Sequence, residues 1–168
     1  MKTLSLCILS LIILVPVLAI ADTDLPDVIT AKKMSMELAA VIANKAVKTC
    51  RKLGFQVTAV VVDRSGEAQV IMRDVYASRF TIQMAQGKAN AAILGGVSTA
   101  ELLKNQRDIR PELNHVDGIL IIQGGLPIFA GGYLIGAVGV SGAPGGDQDE
   151  MCAQKALDSV RDRLDFVE

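Results

Sequence analysis

Apolar residues recur along this chain in two rhythms, and the changes of rhythm mark its elements. From Met34 the interval is four residues (Met34, Leu38, Ile42, Ala46), with Lys32, Lys33, Glu37, Lys45 and Lys48 off that stripe. This is the spacing of a helix with one buried face. Thr30 supplies a cap and Gly54 a stop, so a helix is predicted over about residues 30–53. Residues 55–62 are rich in β-branched side chains, Asp63-Arg64-Ser65-Gly66 reads as a turn, and residues 68–72 return as a second strand. Ser78 caps a second helix through about residue 94, which Gly95-Gly96 ends. Ser98-Thr99-Ala100-Glu101 has the form of a capping box and opens a short third helix.

Residues 105–117 carry Pro111 and His115 and read as an irregular loop, and residues 118–123 as a third strand. Then Leu126, Ile128 and Ala130 alternate with Pro127 and Phe129, Gly131-Gly132 supplies a two-residue hairpin turn, and residues 133–140 form an almost wholly apolar strand. Gly136 and Gly139 within that strand mark a bulge or a close approach of other backbone. A closing helix is predicted over residues 148–164. The order α-β-β-α-α-β-β-β-α implies an α/β (α+β) fold: a five-stranded antiparallel sheet flanked by helices.

The first residues set the expected compartment. Lys2 is followed by an uncharged apolar run from Leu4 to Ile20, and Ala19-Ile20-Ala21 has the small residues of a cleavage site. Residues 1–21 are therefore expected to be a secretory signal peptide and residues 22–168 one exported domain, periplasmic or extracellular, without a membrane span after cleavage. The competing reading is an uncleaved anchor, because the run is nearly long enough to span a bilayer.

Composition narrows the classes. The formal net charge is −1, and cleavage would remove one basic residue, so no strong basic bias marks a nucleic-acid surface. With no tryptophan and few aromatics, alanine and aliphatic side chains must build the core. Cys50 and Cys152 remain after cleavage. They form a disulfide across the facing ends of the first and last helices, or are two buried thiols. Two cysteines and one histidine are too few for a zinc site.

The chemistry-bearing residues are sparse. Asp63 is placed to accept amides of its own turn. Arg73 and Arg79 flank the entrance to the second helix, where an arginine could clamp a carboxylate or pair with Asp74. Lys88 faces either the same cleft or, by preference, water. Gly124-Gly125 and Ser141-Gly142 could offer free amides to an anion or be plain open turns. No serine lies in G-x-S-x-G, and Gly145-Gly146 lacks the G-K-[ST] of a phosphate loop.

The blocks VVVDRSGEAQVIMRD, ASRFTIQMAQGKANAA and GGLPIFAGGYLIGAVGVSG with the following DQDE resemble the GlcG/HbpS-like family. That family includes small secreted haem-binding proteins, a protein of glycolate-utilisation operons and the C-terminal domain of some cobalamin adenosyltransferases. The resemblance spans residues 31–164 and implies a profilin-like sandwich that assembles into homo-oligomers. It also implies an exported, non-enzymatic small-ligand-binding protein whose cofactor is haem. A membrane-sensor partner stays open. The ligand pocket is then expected between the second-helix entrance, the His115 loop and the Gly124–Pro127 turn. Arg73, Arg79 or Lys88 would pair with ligand carboxylates, Gly124, Gly125 and Pro127 would form a wall, and His115 would hold the iron. Met34, Met36, Met72, Met84, Tyr76 and Tyr133 are alternative ligands, more commonly core fillers in the case of methionine. Two other classes remain: an enzyme or accessory factor acting on a small, glycolate-like organic acid, and a ligand-free assembly module.

Overall fold

The computed structural model describes residues 27–165; the expected signal peptide lies outside them. Helix α1 runs Met36–Lys52, with Ser35 rather than Thr30 as its cap: the Ser35 hydroxyl accepts the Leu38 amide at 3.2 Å. The later start has a cause upstream. Met34 is buried, and its carbonyl accepts from the Gln69 side chain at 3.1 Å, which holds the preceding backbone out of helical register. Ala39, Ile42, Ala43, Ala46, Val47 and Cys50 are the buried stripe of α1.

Strands β1 (Thr58–Asp63) and β2 (Ala68–Arg73) form the first hairpin, and β3 (Gly125–Ala130) and β4 (Tyr133–Ser141) the second. All neighbours are antiparallel in the order β2-β1-β4-β3. In the first turn, Asp63 Oδ1 accepts the amides of Ser65 and Glu67 at 2.8 and 3.1 Å, which spends that side chain on its own loop. In the second, Gly131 and Gly132 both have positive φ, 54° and 82°, as a tight hairpin that follows the strand twist requires.

The sheet has four strands, not the five expected. Residues 118–123 are irregular, because their amides are satisfied elsewhere: Leu120 donates to the Gly87 carbonyl at 3.1 Å and Ile121 to Asn114 Oδ1 at 2.8 Å. The apolar run instead packs on helix α2 (Phe80–Gly95), with Ile121 buried beside Ala91 and Leu102. A helix α3 (Thr99–Asn105) is capped by Ser98, whose hydroxyl accepts the Glu101 amide. The expected irregular loop carries one short helix, α4 (Arg110–Leu113), with Pro111 in its first turn. The closing helix is two, α5 (Gly146–Asp158) and α6 (Arg161–Asp165). Between them the Ser159 hydroxyl donates to the Ala156 carbonyl at 2.7 Å.

Period-two alternation divides the strands between two cores. Ala59 and Val61 of β1, with Val138 and Val140 of β4, face α1 and α5; Val60, Val62 and Ala137 face Ala85, Ala89 and Ala92 of α2. Helix α2 lies almost in backbone contact with β4. A Cβ on Gly139 would sit 1.9 Å from the Ala85 carbonyl oxygen, so glycine is required there. On the opposite face Cys50 of α1 and Cys152 of α5 form a disulfide with their Cα atoms 5.6 Å apart, which resolves the choice between bridge and thiols.

Candidate functional site

The structure brings Lys88, Gly124 and Gly125 together, but not as an open clamp. Lys88 projects from α2 and is 2% exposed, contrary to the expectation that it faces water. Its Nζ donates to Asp149 Oδ2 at 2.7 Å and to the Val140 carbonyl at 2.9 Å. Asp149 comes from the first turn of α5, and its Oδ1 accepts the Ala143 amide at 3.0 Å. Burial holds this carboxyl above the usual range; the Lys88 charge and hydrogen bond and the amides of Ala143 and Gly142 pull against that. The loop after β4 thus does cradle a carboxylate, but the carboxylate belongs to the protein.

The backbone of both glycines is also engaged. Gly125 N–H donates to the Thr99 hydroxyl at 2.9 Å, and Gly124 accepts from the Val140 amide at 2.9 Å. Gly124 has φ 124°, and an added Cβ would meet Lys88 Nζ and the Asp149 Cβ at 2.9 Å. Glu150 faces the Gln123 side chain and the amides of Gly124 and Ala100; burial, the largest influence, raises its pKa against them. Asp149 thus ties the first turn of α5 to α2 and to the loop after β4, whereas Glu150 Oε2 is buried without a hydrogen-bond partner among the described residues. Pro127 lies further along β3, half-buried.

The remaining expected residues are dispersed. Arg73 lines a groove of about 450 Å³ with Lys48, Arg51, Ile71 and Met72, and its guanidinium donates to the Ala77 carbonyl. Asp74 pairs with Arg51 rather than Arg73, through two hydrogen bonds of 2.8 and 2.9 Å. That hydrogen-bonded guanidinium is the largest cause holding the Asp74 carboxyl below its usual range. Arg79 is exposed and stacks 4.5 Å from the Phe80 ring centroid. His115 is exposed on the turn after α4.

A larger groove, about 570 Å³, opens between α3, α4 and Gln123. Lys104, Arg107 and Arg110 line it with Ala100, Leu103 and Gln123. None of these three cations was singled out from sequence. The available signal was their spacing, a positive residue every third position from the end of the expected third helix into the segment read as an irregular loop.

A family described as haem-degrading, HbpS-like proteins matches residues 34–158. The chain belongs to the HbpS-like family. Its fold matches a crystal structure of HbpS at 32% identity and TM-score 0.75, covering 80% of this chain and 94% of that one. It also matches Klebsiella pneumoniae protein ORFY at 28% identity and TM-score 0.74, over 86% and 99% of the two chains. A PduOC–haem complex matches at 26% identity and TM-score 0.67, over 76% and 95%. No curated protein sequence matches significantly.

For an HbpS-like chain the fit to haem is testable on these residues. The 570 Å³ groove has porphyrin-compatible size, cations for carboxylates and an apolar wall at Leu103 and Ala100. No residue lining it is a customary iron ligand. The nearest such residue in sequence is His115, on the turn that follows the helix supplying Arg110. No cluster of three or more His, Cys, Asp or Glu forms a protein-only metal site among the described residues.

Proposed function

We propose that this HbpS-like protein is an exported, oligomeric binding protein whose ligand is haem. The observation that carries the reading is the cationic groove: Lys104, Arg107 and Arg110 line one cleft together with Leu103 and Ala100. Arginine guanidinium and lysine ammonium suit the two carboxylates of the porphyrin edge, while Leu103 meets the macrocycle. His115 supplies the imidazole for the iron. Bound haem would bring iron redox chemistry; the protein's part is to bind and orient it.

Export is supported by the leader pattern in residues 1–21 and by the Cys50–Cys152 bridge, which an oxidising compartment maintains. Assembly is supported by the exposed apolar side chains of Val75 and Tyr76 before α2 and Phe80 at its first position, 72%, 84% and 59% accessible.

The test is absorbance-monitored haem titration of residues 22–168, beside His115→Ala and the double variant Arg107→Glu/Arg110→Glu. Expected are a saturable Soret shift in the parent, an altered band position in His115→Ala, and at least a roughly tenfold weaker Kd in the charge-reversed protein, a difference of about 1.4 kcal/mol. A parent that shows only unsaturable, non-specific absorbance would sink the reading.

A further inference from the structure

A second cavity, about 220 Å³, lies between α2, the end of β4 and the glycine loop that opens α5. At about 30 Å³ per water in the liquid it has room for roughly seven waters, so it is too small for a porphyrin. Ser141 lines it and is 2% exposed. The side chains of Ala137 and Val138 fix the parity of β4: Ala137 packs toward α2 and Val138 toward α1. Ser141, in register with Ala137, therefore faces α2. Its hydroxyl bonds to no other group among the described residues. The hydroxyl is open to the cavity, where it can meet a ligand.

The other groups around it have a common polarity. Lys88 has three N–H donors and spends two, on Asp149 and Val140. Helix α5 starts at Gly146 after Gly145, with no side-chain cap, so its first-turn amides keep their donors and the positive end of its dipole lies at the cavity wall. Asp149 has both oxygens engaged, Oδ2 by Lys88 and Oδ1 by Ala143, and the Thr81 hydroxyl is taken up by Ser78 and Thr58. The uncommitted polar groups, Ser141 included, can thus all donate to an acceptor. Asp149 and the neighbouring Asp147 disfavour a dianion, so a single negative charge fits. The rest of the wall is apolar: Met84, Ile122 and Pro144.

We infer that this cavity binds a short-chain monocarboxylate. Its carboxylate meets the Ser141 hydroxyl, the spare Lys88 N–H and the α5 amides, and its hydrocarbon tail lies against Met84 and Ile122. The site is separate from the cationic groove, and the inference does not depend on haem.

Sodium acetate, butyrate and octanoate are the probes, titrated into the full exported chain and followed by amide ¹⁵N–¹H shifts. Saturable shifts are expected at Gly142, Ala143, Gly145 and Gly146. Affinity should rise from acetate to butyrate by up to about fourfold per methylene, the equivalent of ~0.8 kcal/mol, and fall again for octanoate, which exceeds the cavity. Ser141→Ala removes a hydroxyl with no protein partner and should leave folding intact while weakening butyrate at least about tenfold. Ser141→Val should fill the space and abolish the shifts. Unsaturable shifts, equal affinity in Ser141→Ala, or affinity that keeps climbing through octanoate would each overturn the inference. Haem titration of Ser141→Ala, expected to match the parent, keeps the two sites distinguishable.

Discussion

The two faces of the sheet are held by different physics. On the α1/α5 face, a broad aliphatic core is closed by a covalent bond between the two helices. On the α2 face the apolar cluster is small, built of valine and alanine, and polar groups are set among it: Thr58 and Thr81 with hydroxyls 2.6 Å apart, Ser141, and the Lys88–Asp149 pair. Thr81 donates to the Ser78 carbonyl at 2.6 Å, so Thr58 is the donor of that hydroxyl pair. The first face is insulated and tolerant of volume-conserving exchange. The second is dense with direction-specific contacts, and the small cavity opens on it. In this molecule the broad core and the covalent bridge lie on one face and buried polar pairs on the other, with Asp149 reaching from an α5 rooted in the first to a lysine on the second.

The comparison breaks most sharply at the disulfide. Cys50→Ser/Cys152→Ser should lower stability by about 4.7 kcal/mol in the chain-entropy model for a loop of roughly 100 residues, read as a shift in the urea midpoint without loss of the native spectrum. Next comes Lys88→Met, which leaves Asp149 buried and unpaired; roughly 3–5 kcal/mol is expected, measured in the same way. If Lys88→Met proved neutral, the polar face would be held by its alanines alone. Gly139→Ala should cost about 1–3 kcal/mol by forcing α2 off the sheet, whereas Ala46→Gly on the other face leaves backbone spacing unchanged and costs about 1 kcal/mol in helix propensity plus a small packing loss.

The smallest effect is one of pH, and it separates two aspartates of opposite shift. Asp74, lowered by Arg51, stabilises above the ordinary carboxylate pKa of about 3.9, and that contribution is lost as pH falls through its lower folded value. Asp149, raised by burial, contributes most below the ordinary pKa, and that is lost as pH rises through its higher folded value. Urea midpoints from acid to neutral pH should therefore fall less steeply on acidification in Asp74→Asn. In Asp149→Asn the decline on the rising-pH side should flatten. Parallel profiles for the two variants would contradict the assignment.

Local signals were legible in the sequence and distant partners were not. The Gly131-Gly132 hairpin, the Ser98 hydroxyl cap of α3 and the helical stripe of α1 each depend on residues a few positions apart, and each appears. Residues 118–123 have strand-like composition, but strand formation requires an edge with free partners. Gly87 and Asn114, neither adjacent in sequence, took those amides first. Lys88 shows the same limit: its partner Asp149 lies 61 residues away, so a lysine on a helix was read as facing water. The cations of the larger groove were missed for a different reason. They sit on two short helices and the link between them, where no apolar period drew attention to them.

The bridge between Cys50 and Cys152 has a topological side as well. The segment it encloses contains all four strands, helices α2 to α4 and the lining of both the cationic groove and the small cavity. Every working part of the domain thus belongs to one closed ring, with the rest of α1 and α5 as tails. The stretch around α4, inside that ring, is exposed and open to a protease. One cut there opens the ring without releasing a fragment, so the nicked protein stays in one piece until it is reduced.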